Sequence, residues 1–330
     1  MLDIPPNHSF LQITNERYPD YLASMNDVID IVSAKSRDSS EKTRLSISHK
    51  LQLLGNAQPD RDQYLQHACE LSVAAYFCRL PEADFSYEYP SRNGKNIDVS
   101  VVYNGVRFNI EVKCPNPKSK PKPSGTTKLR LRTHGRLSSI HRTTDDLNKL
   151  AELVGYDGLL AVPNSDHKIK EALIDSARKI RVPVSELELN CVVLCADDGD
   201  SLEHYWHCLY GAQGLFTGAS FHSPEDYSVV DAIILTNLRH RHDNAFRRQG
   251  MSDPWLLESA FNLVLENQLR VKRKAPDISL LANLVPHYGR QLDSFQVPGD
   301  APLEVLNNIK LSYFVENEME KFDPYCFGAA

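Results

Sequence analysis

Long apolar runs and paired cysteines are both missing from this sequence. No stretch of 18 apolar residues occurs, and the opening residues MLDIPPNHSF lack a basic stretch followed by an apolar one, so neither a membrane span nor a secretory signal is expected. The seven cysteines include no CxxC pair, which favours reduced thiols over a disulfide framework. We therefore expect a cytoplasmic, globular protein with no membrane partner.

Several common functional motifs are also absent. No ATPase motif and no base-reading module such as a zinc finger occurs, and the glycines of GAQGLFTGASF lack the following Lys-Ser/Thr of a phosphate-binding loop. Any motor or regulatory protein would therefore be a separate chain. In CVVLC, the four residue steps from Cys191 to Cys195 span roughly 13 Å in a strand, too far for one tetrahedral ion. Both are expected to be core thiols.

Negative charge dominates the chain except in one segment. The net charge is −6, yet the segment from Cys114 to Thr144 holds eight Lys and Arg and no acid, which leaves −14 for the rest. Such a segment is typical of a surface that binds a polyanion, or of a solvated loop rich in Lys and Pro. The candidates for nucleic-acid contact are Lys118, Lys120, Lys122, Lys128, Arg130, Arg132 and Arg136.

Hydrophobic periodicity predicts an α/β (α+β) fold with a mixed β-sheet flanked by helices. Residues 1–59 form a predicted N-terminal helical extension. Residues 60–245 form the predicted core: one helix, then the strands DFSYEY, NIDVSVVY and VRFNIEVKC, then helices and the strands LNCVVLCA and VVDAIILTNL. Residues 246–330 form a helical and mixed C-terminal region, in which DPWLLESAFNLVLENQL is a predicted helix.

Two acids in the predicted hairpin require an explanation. Asn104-Gly105 is typical of a two-residue type I′ turn, and this turn would place Asp98 directly opposite Glu111 and Asn96 opposite Lys113. Two opposed carboxylates repel each other unless a cation lies between them. The hairpin therefore indicates a cation site, which Lys113 alone or a divalent metal could fill.

These residues resemble the PD-(D/E)xK nuclease superfamily, which has the restriction-endonuclease-like fold. The motif is Asp98, then twelve residues, then EVK at Glu111 to Lys113, on consecutive strands after a helix that carries Glu70. The resemblance covers about residues 60–238. Ile97-Asp98 replaces the family's Pro-Asp.

The resemblance implies phosphodiester hydrolysis assisted by Mg²⁺ or Mn²⁺. Asp98, Glu111 and the Val112 backbone carbonyl would be metal ligands, and Lys113 would orient the attacking water or offset charge in the transition state. Glu70 is the candidate accessory acid, reaching the metal directly or through water. A solvated helix residue is the alternative for Glu70, and both readings stay open.

The functional prediction is a metal-dependent nuclease, an endonuclease that acts on DNA rather than RNA, in a defence, restriction or repair setting. Cleavage of both strands would require two active sites, and hence a homodimer. The alternatives are a non-catalytic nucleic-acid-binding protein that retains the nuclease fold, and a protein with an ion-pair ladder on an exposed hairpin.

Overall fold

A computed structural model gives the fold of this chain. The described residues are 4–55, 58–91, 94–115, 129–131, 140–156, 159–161, 166–180, 187–245, 253–271, 277–300 and 303–319.

The described strands are β1 (Asp84–Pro90), β2 (Asn96–Tyr103), β3 (Val106–Lys113), β4 (Leu129–Leu131), β5 (Leu159–Ala161), β6 (Glu188–Cys195), β7 (Ala232–Thr236) and β8 (Asn262–Glu266). Six of them form one sheet in the order β1-β2-β3-β6-β7-β8. β3, β6 and β7 are mutually parallel, while β1, β2 and β8 are antiparallel to their neighbours. The protein is thus a mixed α/β structure, as predicted.

The described α-helices are α1 (Ser9–Arg17), α2 (Asp20–Lys35), α3 (Ser40–Lys50), α4 (Arg61–Cys78), α5 (Ile140–Leu153), α6 (Asp166–Lys179), α7 (Gly199–Tyr210), α8 (Leu238–Asn244), α9 (Ser279–Leu284), α10 (Gly289–Ser294) and α11 (Leu303–Phe314). Among the helices of the described ranges, none is both long and apolar enough to cross a bilayer.

Two apolar clusters cover the two faces of the main sheet. One contains side chains of α2 and α4 together with Val99, Ile110 and Val193 of the sheet. The other contains side chains of α6 and α7 together with Val192 and Ile233. Because strand residues alternate between faces, β3 turns Phe108, Ile110 and Val112 towards α4 and its odd-numbered residues the other way. Glu111 and Lys113 therefore lie on the face opposite the α4 cluster.

The β2–β3 hairpin confirms the predicted turn and most of the predicted register. Asn104 and Gly105 have φ angles of 51° and 78°, the left-handed values that a type I′ turn requires. The ladder runs from Tyr103 opposite Val106 to Val99 opposite Ile110. It ends one residue short of the acids.

Helix α4 is the element that positions the site against the sheet. The Asp60 carboxylate caps it by accepting hydrogen bonds from the backbone N–H groups of Asp62 and Gln63, at 2.8 and 3.1 Å. Tyr64, Leu65 and Leu71 lie within the apolar cluster that α4 shares with the sheet. The cap and this buried face fix where Glu70 projects.

The prediction of a helix over DPWLLESAFNLVLENQL is wrong. Its second half is strand β8, which pairs with β7, and only Leu257–Ser259 is helical, as a short 3₁₀ turn. The C-terminal region thus contributes a strand to the main sheet. Helix α7, capped by the Asp198 carboxylate on Ser201 N–H at 2.8 Å, and helix α8 are among the elements that were not individually predicted.

Candidate active site

The structure buries the acids that the sequence motif identifies. Glu111 on β3 is fully buried, Glu70 on α4 is 6% exposed and Asp98 on β2 is 7% exposed. The Lys113 side chain retains 23% of its exposure. An exposed ion-pair hairpin is therefore the wrong description of these residues.

Asp98 and Glu111 do not form the ladder pair that the sequence predicts. After Val99 and Ile110 the ladder stops, and the Asp98 Oδ2 atom accepts a hydrogen bond from the Val112 backbone N–H at 2.8 Å. A side-chain carboxylate thus takes the place of a strand carbonyl. Asn96 and Lys113 are not a ladder pair either, for the same reason. The two acids still interact, because the charge of Glu111 acts on Asp98.

Among the residues that the structure describes, two lysines contact one oxygen of Glu111 and none contacts the other. Lys113 Nζ lies 2.8 Å from Glu111 Oε1, and Lys179 Nζ at the end of α6 contacts the same atom. Within the described ranges, the buried Oε2 atom has no hydrogen-bond partner. A buried carboxylate oxygen without a partner costs free energy, on the order of 1–3 kcal/mol. This oxygen therefore marks a position where a cation would be stabilised.

Asp98 and Glu70 have opposite pKa shifts. Burial, and then repulsion from Glu70 and Glu111, raise the pKa of Asp98 well above its usual range. Burial of Glu70 opposes ionisation, but hydrogen bonding from His67 and the charge of Lys50 lower its pKa to about 2. Of these two acids, Asp98 therefore favours its protonated form and Glu70 its ionised form.

Glu70 is enclosed by its own helix and by α3. Its Oε2 atom contacts His67 Nδ1 at 2.9 Å and Lys50 Nζ at 3.5 Å, and its Oε1 atom accepts from Gln66 Nε2 at 2.8 Å. The reading of Glu70 as a solvated helix residue is therefore wrong. Its role as an accessory acid stays a prediction.

Gln66 joins α4 to the end of β3. Besides Glu70, its Nε2 atom donates to the Val112 carbonyl at 2.9 Å, and its Oε1 atom accepts from Cys114 N–H at 2.9 Å. This hydrogen bond uses one of the two lone pairs of the Val112 carbonyl oxygen, and a ligand would use the second. Gln66 therefore sets the distance between the helical acid and the motif strand.

These side chains fit a hard divalent cation. The donors are carboxylate oxygens and one backbone carbonyl, which suit Mg²⁺ or Mn²⁺ rather than a soft metal. The unpartnered Glu111 Oε2 atom is the structural observation that supports the fit. Asp98, Glu111 and the Val112 carbonyl are the groups that would hold the ion.

The basic segment falls largely outside the part of the chain that can be described. This holds for Lys118, Lys120, Lys122, Lys128, Arg132 and Arg136, while Arg130 lies in β4, where only the backbone is described. Arg239 and Arg241 on α8 are 5% and 0% exposed. Their contribution to a cationic surface is therefore excluded.

The sequence analysis missed four residues that contact the acids: Lys50, Gln66, His67 and Lys179. Gln66 and His67 precede Glu70 by four and three residues, so helical spacing placed them beside it. Lys50 and Lys179 come from α3 and α6, far along the chain, and no local pattern links them to the motif.

A cluster of three cysteines lies next to these residues. The Sγ atoms of Cys69, Cys114 and Cys195 all lie within 4.8 Å of one another. Burial opposes ionisation of Cys114, but hydrogen bonds with Cys195 and Cys69 and the charge of Arg239 lower its pKa well below the usual value. Cys195 is buried, as predicted, yet it has neighbours that the sequence analysis did not consider.

Comparison with known proteins gives no relative from which a family could be assigned: no protein-family model, no curated protein and no solved structure matches the chain.

Proposed function

We propose that this protein is a metal-dependent nuclease that hydrolyses phosphodiester bonds in DNA. The observation that carries the proposal is the buried Glu111 carboxylate, whose Oε1 atom contacts Lys113 while Oε2 has no described partner. Buried acids beside a lysine form an arrangement suited to a cation and a phosphate. A buried carboxylate oxygen without a partner is uncommon in a purely structural ion pair.

Each side chain has a distinct role in the proposed reaction. A bound Mg²⁺ or Mn²⁺ supplies Lewis-acid polarisation and a water of lowered pKa. Asp98 and Glu111 would hold that ion, Asp98 in its ionised form. The half-buried Lys113 ammonium donates a hydrogen bond to the attacking water or to a phosphoryl oxygen, which stabilises the developing negative charge. Glu70 keeps its charge and, through Gln66, fixes the position of the β3 end.

The element order supports a restriction-endonuclease-like core within this proposal. Helix α4 precedes the antiparallel meander β1–β2–β3, and β3 then pairs in parallel with β6. The motif residues lie on β2 and β3, as the PD-(D/E)xK pattern requires. The sheet order and the motif thus favour the same superfamily.

DNA is the proposed substrate because eight cationic residues follow Lys113 without an intervening acid. Lysine and arginine contacts to phosphate provide affinity without sequence preference. We further propose a cytoplasmic enzyme that acts as a homodimer where both strands are cut, with any motor or regulator supplied by another protein. The proposed setting is defence, restriction or repair.

Cleavage assays test the proposal directly. Labelled duplex DNA, single-stranded DNA and RNA would be incubated with Mg²⁺, Mn²⁺ or EDTA, using wild type, Asp98→Ala, Lys113→Ala and the exposed-lysine control Lys149→Ala. We expect metal-dependent cutting of DNA that the Asp98 and Lys113 variants lose and the Lys149 variant keeps. Salt-sensitive binding without cutting in all four proteins would favour the non-catalytic alternative.

A further inference from the structure

We propose that Cys69, Cys114 and Cys195 form a second metal site, which binds one thiophilic divalent cation of the Zn²⁺ type. This site lies on the α4 face of the sheet, whereas Glu111 and Lys113 face the other way. Its ligands are soft sulfurs, so it selects a different class of ion from the carboxylates. The proposal is independent of the nuclease activity.

Sheet register explains why the three thiols meet. β3 and β6 are parallel, with Lys113 opposite Leu194, so the next residues, Cys114 and Cys195, follow the same register at the same edge. Cys69 belongs to α4 and is buried in the apolar cluster that covers this face. One helix and two strand ends therefore each contribute one sulfur.

The sulfur separations fit a single ion after a small adjustment. Zn–S bonds of about 2.3 Å place two sulfurs of a tetrahedral site about 3.8 Å apart. The three Sγ atoms lie within 4.8 Å of one another, so shifts of roughly 1 Å or less bring all three onto one ion. Three protein ligands leave the fourth position to water or another small donor.

Charge balance favours a divalent ion over a monovalent one. Three thiolates and one divalent cation carry a net charge of −1, and the buried Arg239 guanidinium, which interacts electrostatically with Cys114 and Cys69, carries +1. Arg239 also forms a salt bridge with Asp62 at 2.6 Å, whose side chain is 55% exposed. The negative charge of the metal–thiolate centre would then balance the positive charge of the buried Arg239 guanidinium.

An ion at this position would connect the elements that carry the acidic site. Cys69 immediately precedes Glu70, and Cys114 immediately follows Lys113. Coordination would therefore fix α4 relative to β3 and β6 without touching a substrate. The ion's role would be to position these elements.

Cobalt titration of the reduced, metal-free full-length chain tests the site. Co²⁺ bound by thiolates absorbs in the near ultraviolet through sulfur-to-metal charge transfer, and a tetrahedral site adds visible bands. We expect about one Co²⁺ per chain, displaced by Zn²⁺ and retained in excess Mg²⁺. No nucleic acid is present, so failure of the nuclease proposal would not alter this result.

The chain supplies two matched controls. Cys191 lies on β6 with Cys195, and Cys78 lies on α4 with Cys69, and all four are buried. Cys195→Ala and Cys69→Ala should lose the charge-transfer band and weaken Co²⁺ binding by more than the roughly 10–100-fold typical of outer-shell changes. Cys191→Ala and Cys78→Ala should keep it.

Two results would overturn the proposal: no charge-transfer band in the reduced wild type, or equal bands in Cys195→Ala and Cys191→Ala. Circular dichroism checks that each variant is folded. If Cys195→Ala does not fold, the Cys69 and Cys78 pair on α4 gives the same comparison, and the wild-type titration decides independently of any variant.

Discussion

Asp98 and Glu70 both carry a carboxyl group, but their surroundings shift the pKa values of these groups in opposite directions. Glu70 receives hydrogen bonds from His67 and Gln66 and faces Lys50, so ionisation is favoured. Asp98 is buried and faces two other acids, so protonation is favoured. A cation at the site would compensate the charge of Asp98 and release its proton.

We predict that Asp98→Asn makes the metal-free protein more stable than wild type, and that this difference grows as the pH rises. The folded state retains the Asp98 proton to higher pH than the unfolded chain, in which aspartate titrates at about pH 3.9. The contribution of this proton to stability is therefore complete below about pH 4 and is lost as the pH rises towards the raised pKa of the folded state. Asparagine stays neutral and still accepts the Val112 N–H bond. Thermal unfolding in EDTA should show a melting temperature higher by about 2 °C or more near pH 8, and a smaller difference near pH 4.

The control for this prediction is Asp175→Asn, an exposed acid on α6 that pairs with Arg178. It should change the melting temperature little at any pH. A destabilisation by Asp98→Asn that grows with pH would contradict the assigned charge state.

The central acids and lysine were predictable at the residue scale, and their immediate partners were not. Asp98, Glu111 and Lys113 occur at motif spacing on strands whose alternation is visible in the sequence. The contacts of Lys50 and Lys179 depend on how α3 and α6 pack, which is a tertiary property. The burial of Arg239 and Arg241 was not predictable either, because α8 is only seven residues long and gives too short a periodic pattern.

At the scale of elements, α4 and the β2–β3 hairpin hold the site together. Gln66 connects α4 to the backbone of Val112 and Cys114, and the type I′ turn fixes the strand register. The hairpin was predictable because Asn104-Gly105 encodes a local geometry. β8 was missed because NLVLE is embedded in a longer sequence with helix-like spacing, and pairing with β7 decides its conformation.

We predict that Gln66→Ala destabilises the protein by about 1–3 kcal/mol, because it leaves the Cys114 N–H and the Val112 carbonyl without their side-chain partner. Urea denaturation measures this loss. Gln63→Ala, an exposed glutamine on the same helix, should stay within about 0.5 kcal/mol of wild type. Equal effects of the two substitutions would exclude Gln66 as the connection.

We predict that Gly105→Ala costs about 1–2 kcal/mol, because alanine is strained at a φ of 78°. In the described part of the chain, no heavy atom beyond the neighbouring residues lies within 4 Å of the added Cβ, so the loss of stability would come from backbone conformation. Gly218→Ala is the control, since its Cβ also meets no atom and its φ lies outside the left-handed region. An unchanged unfolding free energy for Gly105→Ala would contradict the assigned turn.

At the scale of the whole molecule, the charge is divided between an acidic body and one basic segment. The net charge of −6 opposes DNA binding in general, so the proposed affinity for DNA would come from the segment that follows β3. That segment starts directly beside Lys113, which places its cations near the acids along the chain. The arrangement favours delivery of a phosphate backbone to the candidate site.

We predict a salt-dependent affinity for DNA that the basic segment controls. Lys118→Ala with Lys120→Ala should reduce the slope of log K against log salt by about 1.8, since each phosphate contact contributes about 0.9. Fluorescence anisotropy in EDTA measures the slope. Lys42→Ala with Lys149→Ala, two exposed lysines elsewhere, should leave it unchanged; equal slopes for both pairs would contradict the assignment.

The most direct test of the central claim is Mg²⁺-dependent DNA cleavage by Glu111→Gln compared with Glu188→Gln. Both glutamates lie on neighbouring strands of one sheet, but only Glu111 belongs to the candidate site. The account predicts that Glu111→Gln, folded by circular dichroism, loses at least about 10²-fold in cleavage rate, while Glu188→Gln cuts as wild type does. Full cleavage by Glu111→Gln, or cleavage by wild type in EDTA, would contradict it.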